Sequence, residues 1–197
     1  KMYWTQVMAL LTSEVGLDSG SVEMPIVPMF HVSGWSLPFA TIAAGTKTVL
    51  PGPQPDSETL ASLIEEEGVT HSAGVPTVWM DLLEYAAEND PDLSSIDVLV
   101  SGGAATPQGL IRDYREKLDI ELISGYGMTE TSPVTHLAET KPEFEGVRGE
   151  QLDELRAHSA GISLPGLEFK VVDDDGEEVA WDDENLGELW VRGPWVT

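Results

Sequence analysis

The sequence predicts an α/β fold: a mainly parallel sheet with flanking helices, followed by a β-rich antiparallel segment. Three observations lead there. Short apolar runs alternate with helical periodicity from residue 24 to residue 124, the pattern of a parallel sheet with crossover helices. Two of those runs, Ile96–Ser101 and Ile120–Ser124, are each followed by a glycine-bearing loop. A right-handed crossover makes them parallel, so both loops leave the same edge, where ligands of open α/β sheets bind. After Pro133 the pattern changes to a polar stretch and then to alternating runs, giving a division into an α/β core over 1–133 and a β-rich continuation over 134–197.

In chain order, Tyr3, Val7, Leu10 and Leu11 recur at helical spacing, with Gly16 as a stop. Glu23–Phe30 reads as a strand; its Pro25 and Pro28 suit a sheet edge. A helix over Gly34–Ala44 places His31 and Trp35 near its start. Thr46–Leu50 is a β-rich run before the Pro51-Gly52-Pro53 loop. Asp56 is a helix cap, and Leu60, Leu63 and Ile64 form an inner face. Val69–Ala73 is a strand, followed by a helix marked by Val75, Val78, Trp79, Leu82 and Leu83, with Trp79 in the core. Thr106 caps the next helix, Pro107 suits its first turn, and Leu110, Ile111, Tyr114 and Leu118 give its apolar face. Leu152 and Leu155 mark a weak helix within His136–Gly161. Leu167–Val172 and Glu188–Arg192 alternate as antiparallel strands, with a turn at Asp175-Gly176. A calcium loop at Asp173-Asp174-Asp175-Gly176 would put Val171 at the first ligand position, so a solvated turn is expected.

The chemistry concentrates in Gly125–Pro133, Gly-Tyr-Gly-Met-Thr-Glu-Thr-Ser-Pro. Glycine lets backbone approach a ligand closely. Tyr126 offers an aromatic face, Thr129 a phosphate donor and Glu130 a carboxylate for a hard cation such as Mg²⁺. These are the parts of a nucleotide site. A dinucleotide fingerprint fits less well, because Glu130 stands where its third small residue belongs.

Four stretches carry a family resemblance, in the family's own order. Gly125–Thr131 resembles the signature of the adenylate-forming enzymes, which include acyl-CoA synthetases, luciferases and amino-acid adenylation domains. Gly102–Pro107 is similar to their adenine loop, Pro28–Trp35 to the motif lining their acyl pocket, and Gly187–Gly193 to their Gly-Glu-Leu-x-x-x-Gly strand. The Phe30-His31-Val32 and Trp35 pattern, with Gly74–Trp79, resembles the medium- and long-chain fatty-acid branch. The resemblance implies a ligase in which a fatty-acid carboxylate attacks the α-phosphorus of ATP and coenzyme A then displaces AMP. By the same resemblance Glu130 binds Mg²⁺, and Thr129 contacts the phosphate. Gly102, Gly103, Ala104, Gly125, Tyr126, Gly127 and Met128 hold the nucleotide. His31, Val32, Trp35, Gly74, Val75 and Pro76 line the acyl path; for Trp35, core packing stands as the other reading. Other adenylate-forming ligases, for aryl or amino acids, and a non-catalytic nucleotide-binding module are the alternatives.

Lys1, not methionine, opens the chain, and Thr197 follows closely on a strand, so a piece of a longer enzyme is expected. The family's phosphate loop would then precede Lys1. Its ribose-binding aspartate, hinge and C-terminal domain would follow Thr197. Such a piece alone should be inactive and prone to self-associate.

Asp and Glu number 35 against 10 Lys and Arg, a net charge of −25. That surface repels nucleic acid and anionic membranes, and it suits a salt-adapted cytoplasm. No apolar run approaches the roughly 18 residues of a membrane span. With no cysteine, disulfides and thiolate metal sites are excluded.

Overall fold

The computed structural model describes residues 15–139, 141, 144–182 and 184–197, without the side chain of Trp35. The helix expected over Tyr3–Leu11 lies outside the described residues. The rest forms a seven-stranded sheet in the order β2 (Lys47–Thr48), β1 (Val22–Pro25), β3 (His71–Gly74), β4 (Val98–Gly102), β5 (Glu121–Gly127), β6 (Val134–Leu137) and β7 (Ile162–Ser163), with a separate two-stranded sheet of β8 (Glu168–Val172) and β9 (Glu188–Arg192).

β1 (Val22–Pro25) pairs in parallel with both β2 (Lys47–Thr48) and β3 (His71–Gly74). It is shorter than the Glu23–Phe30 expected and lies inside the sheet rather than at its edge. Pro25 takes the last position of the strand, so the missing N–H interrupts little of the ladder. The chain then leaves the sheet, and Phe30 is exposed. α1 (Val32–Ala44) begins two residues earlier than expected, because the His31 ring caps it by accepting from the Ser33 N–H at 3.1 Å. α2 (Ser57–Glu67) is capped by Asp56, which accepts from the Thr59 N–H at 2.9 Å, and it buries Leu60 and Ile64 as expected.

α3 (Pro76–Asn89) starts with Pro76 in its first turn and buries Trp79 and Leu82; Val75 precedes the helix and is exposed, not on its inner face. β4 (Val98–Gly102) leads through the first glycine loop to α4 (Gln108–Asp113), which continues over Tyr114–Leu118 as a wider helical turn. Thr106 does not cap α4. Its hydroxyl turns back to Ser101 Oγ at 2.9 Å, and Pro107 occupies the cap position.

β5 (Glu121–Gly127) runs three residues past the expected strand, since β6 (Val134–Leu137) folds back antiparallel onto Gly125–Gly127. β7 (Ile162–Ser163) pairs with β6 after α5 (Glu150–His158). The sheet therefore continues past Pro133. β8 (Glu168–Val172) and β9 (Glu188–Arg192) are antiparallel as expected. The turn at Asp175-Gly176 is held by Asp173, whose carboxylate accepts from the N–H groups of Asp175 and Glu177.

Strand alternation splits the core between two faces. Leu99 and Leu122 face α2, α3 and α4, where they meet Leu60, Ile64, Trp79, Ile111 and Tyr114. Val98 and Ile123 face the other way, with Leu37 and Ala40 of α1, Leu137, Leu164 and Trp195. Helices thus cover both faces, as a parallel sheet requires.

One buried group works against this core. Glu23 in β1 is 3% exposed, and one of its carboxylate oxygens has no hydrogen-bond partner among the described residues. Burial pushes its carboxyl from the ordinary 4.5 up to about 8. Below the ordinary value both folded and unfolded chains hold the proton. Between the two values only the folded chain holds it, so stability falls as pH rises, by at most about 1.4 kcal/mol per pH unit for one proton. Above the folded value both are ionised and the slope ends. Glu23→Gln should therefore flatten the unfolding free energy between about pH 5 and pH 8 and exceed the native chain in stability at the upper end. Denaturant titrations at three pH values measure this; a mutant that keeps the native slope would remove Glu23 as its source.

Candidate active site

The carboxyl ends of β1, β3, β4 and β5 lie side by side along one sheet edge. The expected motifs follow those ends in the same spatial order: His31 and Val32 after β1, Gly74–Pro76 at β3, Gly102–Ala104 at β4 and Gly125–Glu130 at β5. The sequence order of the motifs has become a row in space.

At the centre of the row Gly102 and Gly125 are register partners. A β-carbon on Gly102 would stand 3.2 Å from the Gly125 carbonyl oxygen, a tight contact that the neighbouring backbone would have to relax by a few tenths of an ångström to accept. Gly103 turns with φ +80°, a conformation glycine adopts without strain. A β-carbon on Gly127 would run into the Pro133 backbone, where β6 turns back.

A cavity of about 390 Å³ opens beside this pair. Gly103–Thr106 line one side, Ser124–Gly127 another, and Ala157–Ala160 at the end of α5 a third. Ser124 and the Ala157–Ala160 segment are not among the site residues expected from the sequence, and Thr106 is expected there as a helix cap within the Gly102–Pro107 loop rather than as a wall of a cavity. Ser124 has a buried hydroxyl with no hydrogen-bond partner among the described residues. A buried hydroxyl left unpaired is costly, and a polar ligand in the cavity would relieve it. Its place directly before Gly125 was the one available signal. The Ala157–Ala160 segment had none, since it reaches the site only through the packing of α5 beside β5.

Beyond the cavity the Met128–Ser132 loop is pinned from within. Thr131 is fully buried; its Oγ1 accepts from the Met128 N–H at 2.9 Å and has the Met128 and Pro133 carbonyls, both at 2.9 Å, as acceptors for its proton. Thr129 and Glu130 are exposed, and the Glu130 carboxylate makes no hydrogen bond or ion pair among the described residues. Tyr126 is half exposed and leans on His136, with ring centroids 6.1 Å apart; His136 lies against Phe169 of β8 at 4.5 Å. Burial holds the His136 imidazole below its ordinary pKa, favouring the neutral ring.

The expected acyl-path residues are less exposed than those of the cavity. Val32, Gly74 and Pro76 are buried, whereas His31 and Val75 are open. Gly74 is packed by Trp79, whose ring would lie 2.9 Å from a β-carbon there, and Trp79 itself is wholly buried, as expected of a core residue. Val75 adjoins the first glycine loop, 3.5 Å from where Gly103 would carry a β-carbon.

Comparison with known proteins agrees with this arrangement. A family model described as AMP-binding enzyme matches residues 2–197. A long-chain-fatty-acid–CoA ligase from Thermus thermophilus is 41% identical over 189 residues, covering 96% of this chain and 35% of that protein. A 3-methylmercaptopropionyl-CoA ligase from Ruegeria lacuscaerulensis is 39% identical over 182 residues, covering 92% of this chain and 34% of that protein. Among solved structures, o-succinylbenzoate coenzyme A synthetase from Bacillus subtilis, in complex with ATP and magnesium ion, superposes with a TM-score of 0.78 at 28% identity, over 99% of this chain and 37% of that one. The chain thus spans about a third of the length of the relatives it matches. With a family match over nearly every residue, the same fold and the signature motifs gathered on one edge, the chain belongs to the AMP-binding enzymes, the adenylate-forming superfamily.

Proposed function

We propose that the protein containing this chain is an ATP-dependent, AMP-forming acyl-CoA ligase, and that its carboxylate substrate is a fatty acid. The observation that carries the reading is the pairing of Gly102 with Gly125 beside a cavity that contains the Ser124 hydroxyl, unpartnered among the described residues. In this reading Gly102–Ala104 and Gly125–Met128 enclose adenine, with the Tyr126 face against the base. Thr129 donates to the phosphate. Glu130 fits a divalent cation, because its carboxylate is exposed and uncommitted, and Mg²⁺ is commonly held by one or two carboxylates together with substrate phosphates. Bound there, Mg²⁺ would offset negative charge on the reacting phosphate oxygens. The chain's own part is to hold base, phosphate and cation in fixed relation, which lowers the barrier by positioning and electrostatics. His31, Val32, Trp35 and Gly74–Pro76 guide the acyl group toward that point, and coenzyme A is the second acceptor.

The fatty-acid assignment is supported by the Thermus thermophilus relative. The other two proteins named above act on different acids, so a ligase for another carboxylate is the second reading. Acid-dependent pyrophosphate exchange by the full-length protein, across fatty, aryl and amino acids, separates them. Exchange only with a non-fatty acid would end the fatty-acid assignment.

Glu130→Gln keeps size and removes the charge that draws the cation. In the full-length protein it should lower pyrophosphate exchange by roughly 100-fold or more while circular dichroism stays native. Near-native exchange would refute the metal role.

A salt-rich cytoplasm is part of the proposal, supported by the net charge of −25. No described helix is long and apolar enough to cross a membrane. The exposed Met29, Phe30, Ile42 and Leu186 support self-association of the isolated 197 residues. Self-repulsion is strongest where the Debye length is long. The thermal midpoint should therefore rise strongly from dilute buffer to molar KCl, and a flat or falling midpoint would count against salt adaptation.

A further inference from the structure

The loop that carries Glu130 is held from a second side, by residues far away in sequence. Glu130 lies in the single short turn Thr129–Thr131. Its own carbonyl accepts from the Thr197 N–H at 3.0 Å and faces the Thr197 hydroxyl at 3.3 Å. Two residues on, Ser132 Oγ donates to the Trp195 carbonyl at 3.2 Å. These contacts join the loop to the segment after β9 across 63 and 67 residues of sequence.

That segment is itself anchored. Trp195 is 5% exposed and belongs to the core cluster of Leu137, Ala138 and Leu164. Its ring packs beside Gly166, 3.4 Å from where a β-carbon would stand. The indole is thus a peg in the core, and the backbone on either side of it reaches the loop. Thr131, by contrast, ties the loop only to its own neighbours, Met128 and Pro133. Without the second attachment the loop could keep its internal shape and still tilt as a unit.

We propose that Trp195 and Thr197, acting through Ser132 and the Glu130 carbonyl, are positioning residues for the Glu130 carboxylate. The inference rests on the reading of Glu130 as the residue that holds the divalent cation. Among the described residues the side chain of Glu130 has no partner of its own to orient it, so its place is set by its backbone. Fixing that backbone at the carbonyl, and again at Ser132, leaves the carboxylate only its own torsions to explore. Outer contacts of this kind tune metal affinity without touching the metal.

The test is Mn²⁺ binding to the full-length protein, followed by electron paramagnetic resonance in the presence of a non-hydrolysable ATP analogue. Ser132→Ala removes one attachment at little cost to the fold, and Trp195→Phe shrinks the peg. Each should weaken Mn²⁺ binding roughly tenfold. Leu164→Val thins the same cluster and leaves both attachments in place, so it should bind Mn²⁺ as the native protein does. Glu130→Gln is the reference for loss of the ligand itself. Native Mn²⁺ affinity in Ser132→Ala and Trp195→Phe, with affinity lost in Glu130→Gln, overturns the positioning role alone. Native affinity in Glu130→Gln as well overturns the metal reading and this inference with it. Equal weakening in Leu164→Val reduces the effect to general packing and also overturns it.

Discussion

The carboxyl edge of the sheet depends on where Trp79 sits. Its indole is wholly buried and fills the space that a side chain at Gly74 would need. Its Nε1 donates to the Val100 carbonyl in β4 at 3.2 Å, and its own carbonyl accepts from the Tyr114 hydroxyl at 2.7 Å. One residue therefore ties together the end of β3, the middle of β4 and the helix that follows the first glycine loop. Replacing it by a smaller residue would leave a cavity and deprive the Val100 carbonyl of its indole donor, and such losses combine; the backbone carbonyl that accepts from Tyr114 would remain. The glycine pair at Gly102 and Gly125 can approach as closely as it does because the layer beneath it is held in this way.

Around that anchor, two arginines join α5 to its neighbours. Arg115 of the turn after α4 reaches Asp153 of α5 through two hydrogen bonds, at 2.7 and 3.0 Å, and Asp153 is almost fully buried. Arg156 of α5 pairs with Glu121 at the start of β5. α5 is thereby fastened to the opposite end of the strand that carries the Gly125 motif. A buried carboxylate that lost its arginine would be costly, so these contacts specify where α5 lies more than they add stability. The position of α5 in turn sets the third wall of the cavity.

The parallel sheet, the two glycine loops and their shared edge were legible in the sequence, because strand–loop–helix periodicity is local and the crossover rule makes it global. Asp56 as a cap and Trp79 as core were equally readable. What was not legible depended on distant partners. β5 runs through Gly127 only because β6 pairs with it, and Val134–Leu137 is too short to announce itself within a polar stretch. Thr106 has the residue type of a helix cap, yet Ser101 offers its hydroxyl a closer partner. Ser124 looked like the end of an apolar run, and its significance comes from the cavity beside it. Local pattern decided element type, while tertiary contact decided where elements ended and which polar groups faced the site.

The cap at His31 has a chemical corollary. To accept from the Ser33 N–H, Nδ1 must keep its lone pair, so the neutral ring carries its hydrogen on Nε2. The exposed imidazole is thereby committed to one tautomer before anything approaches it. It presents a donor outward and has no acceptor to offer there. A group arriving over this ring is met as an acceptor, which favours a carbonyl or carboxylate oxygen over a hydroxyl hydrogen or an ammonium. The start of one helix, a matter of capping one backbone N–H, thus sets the polarity of the surface at His31.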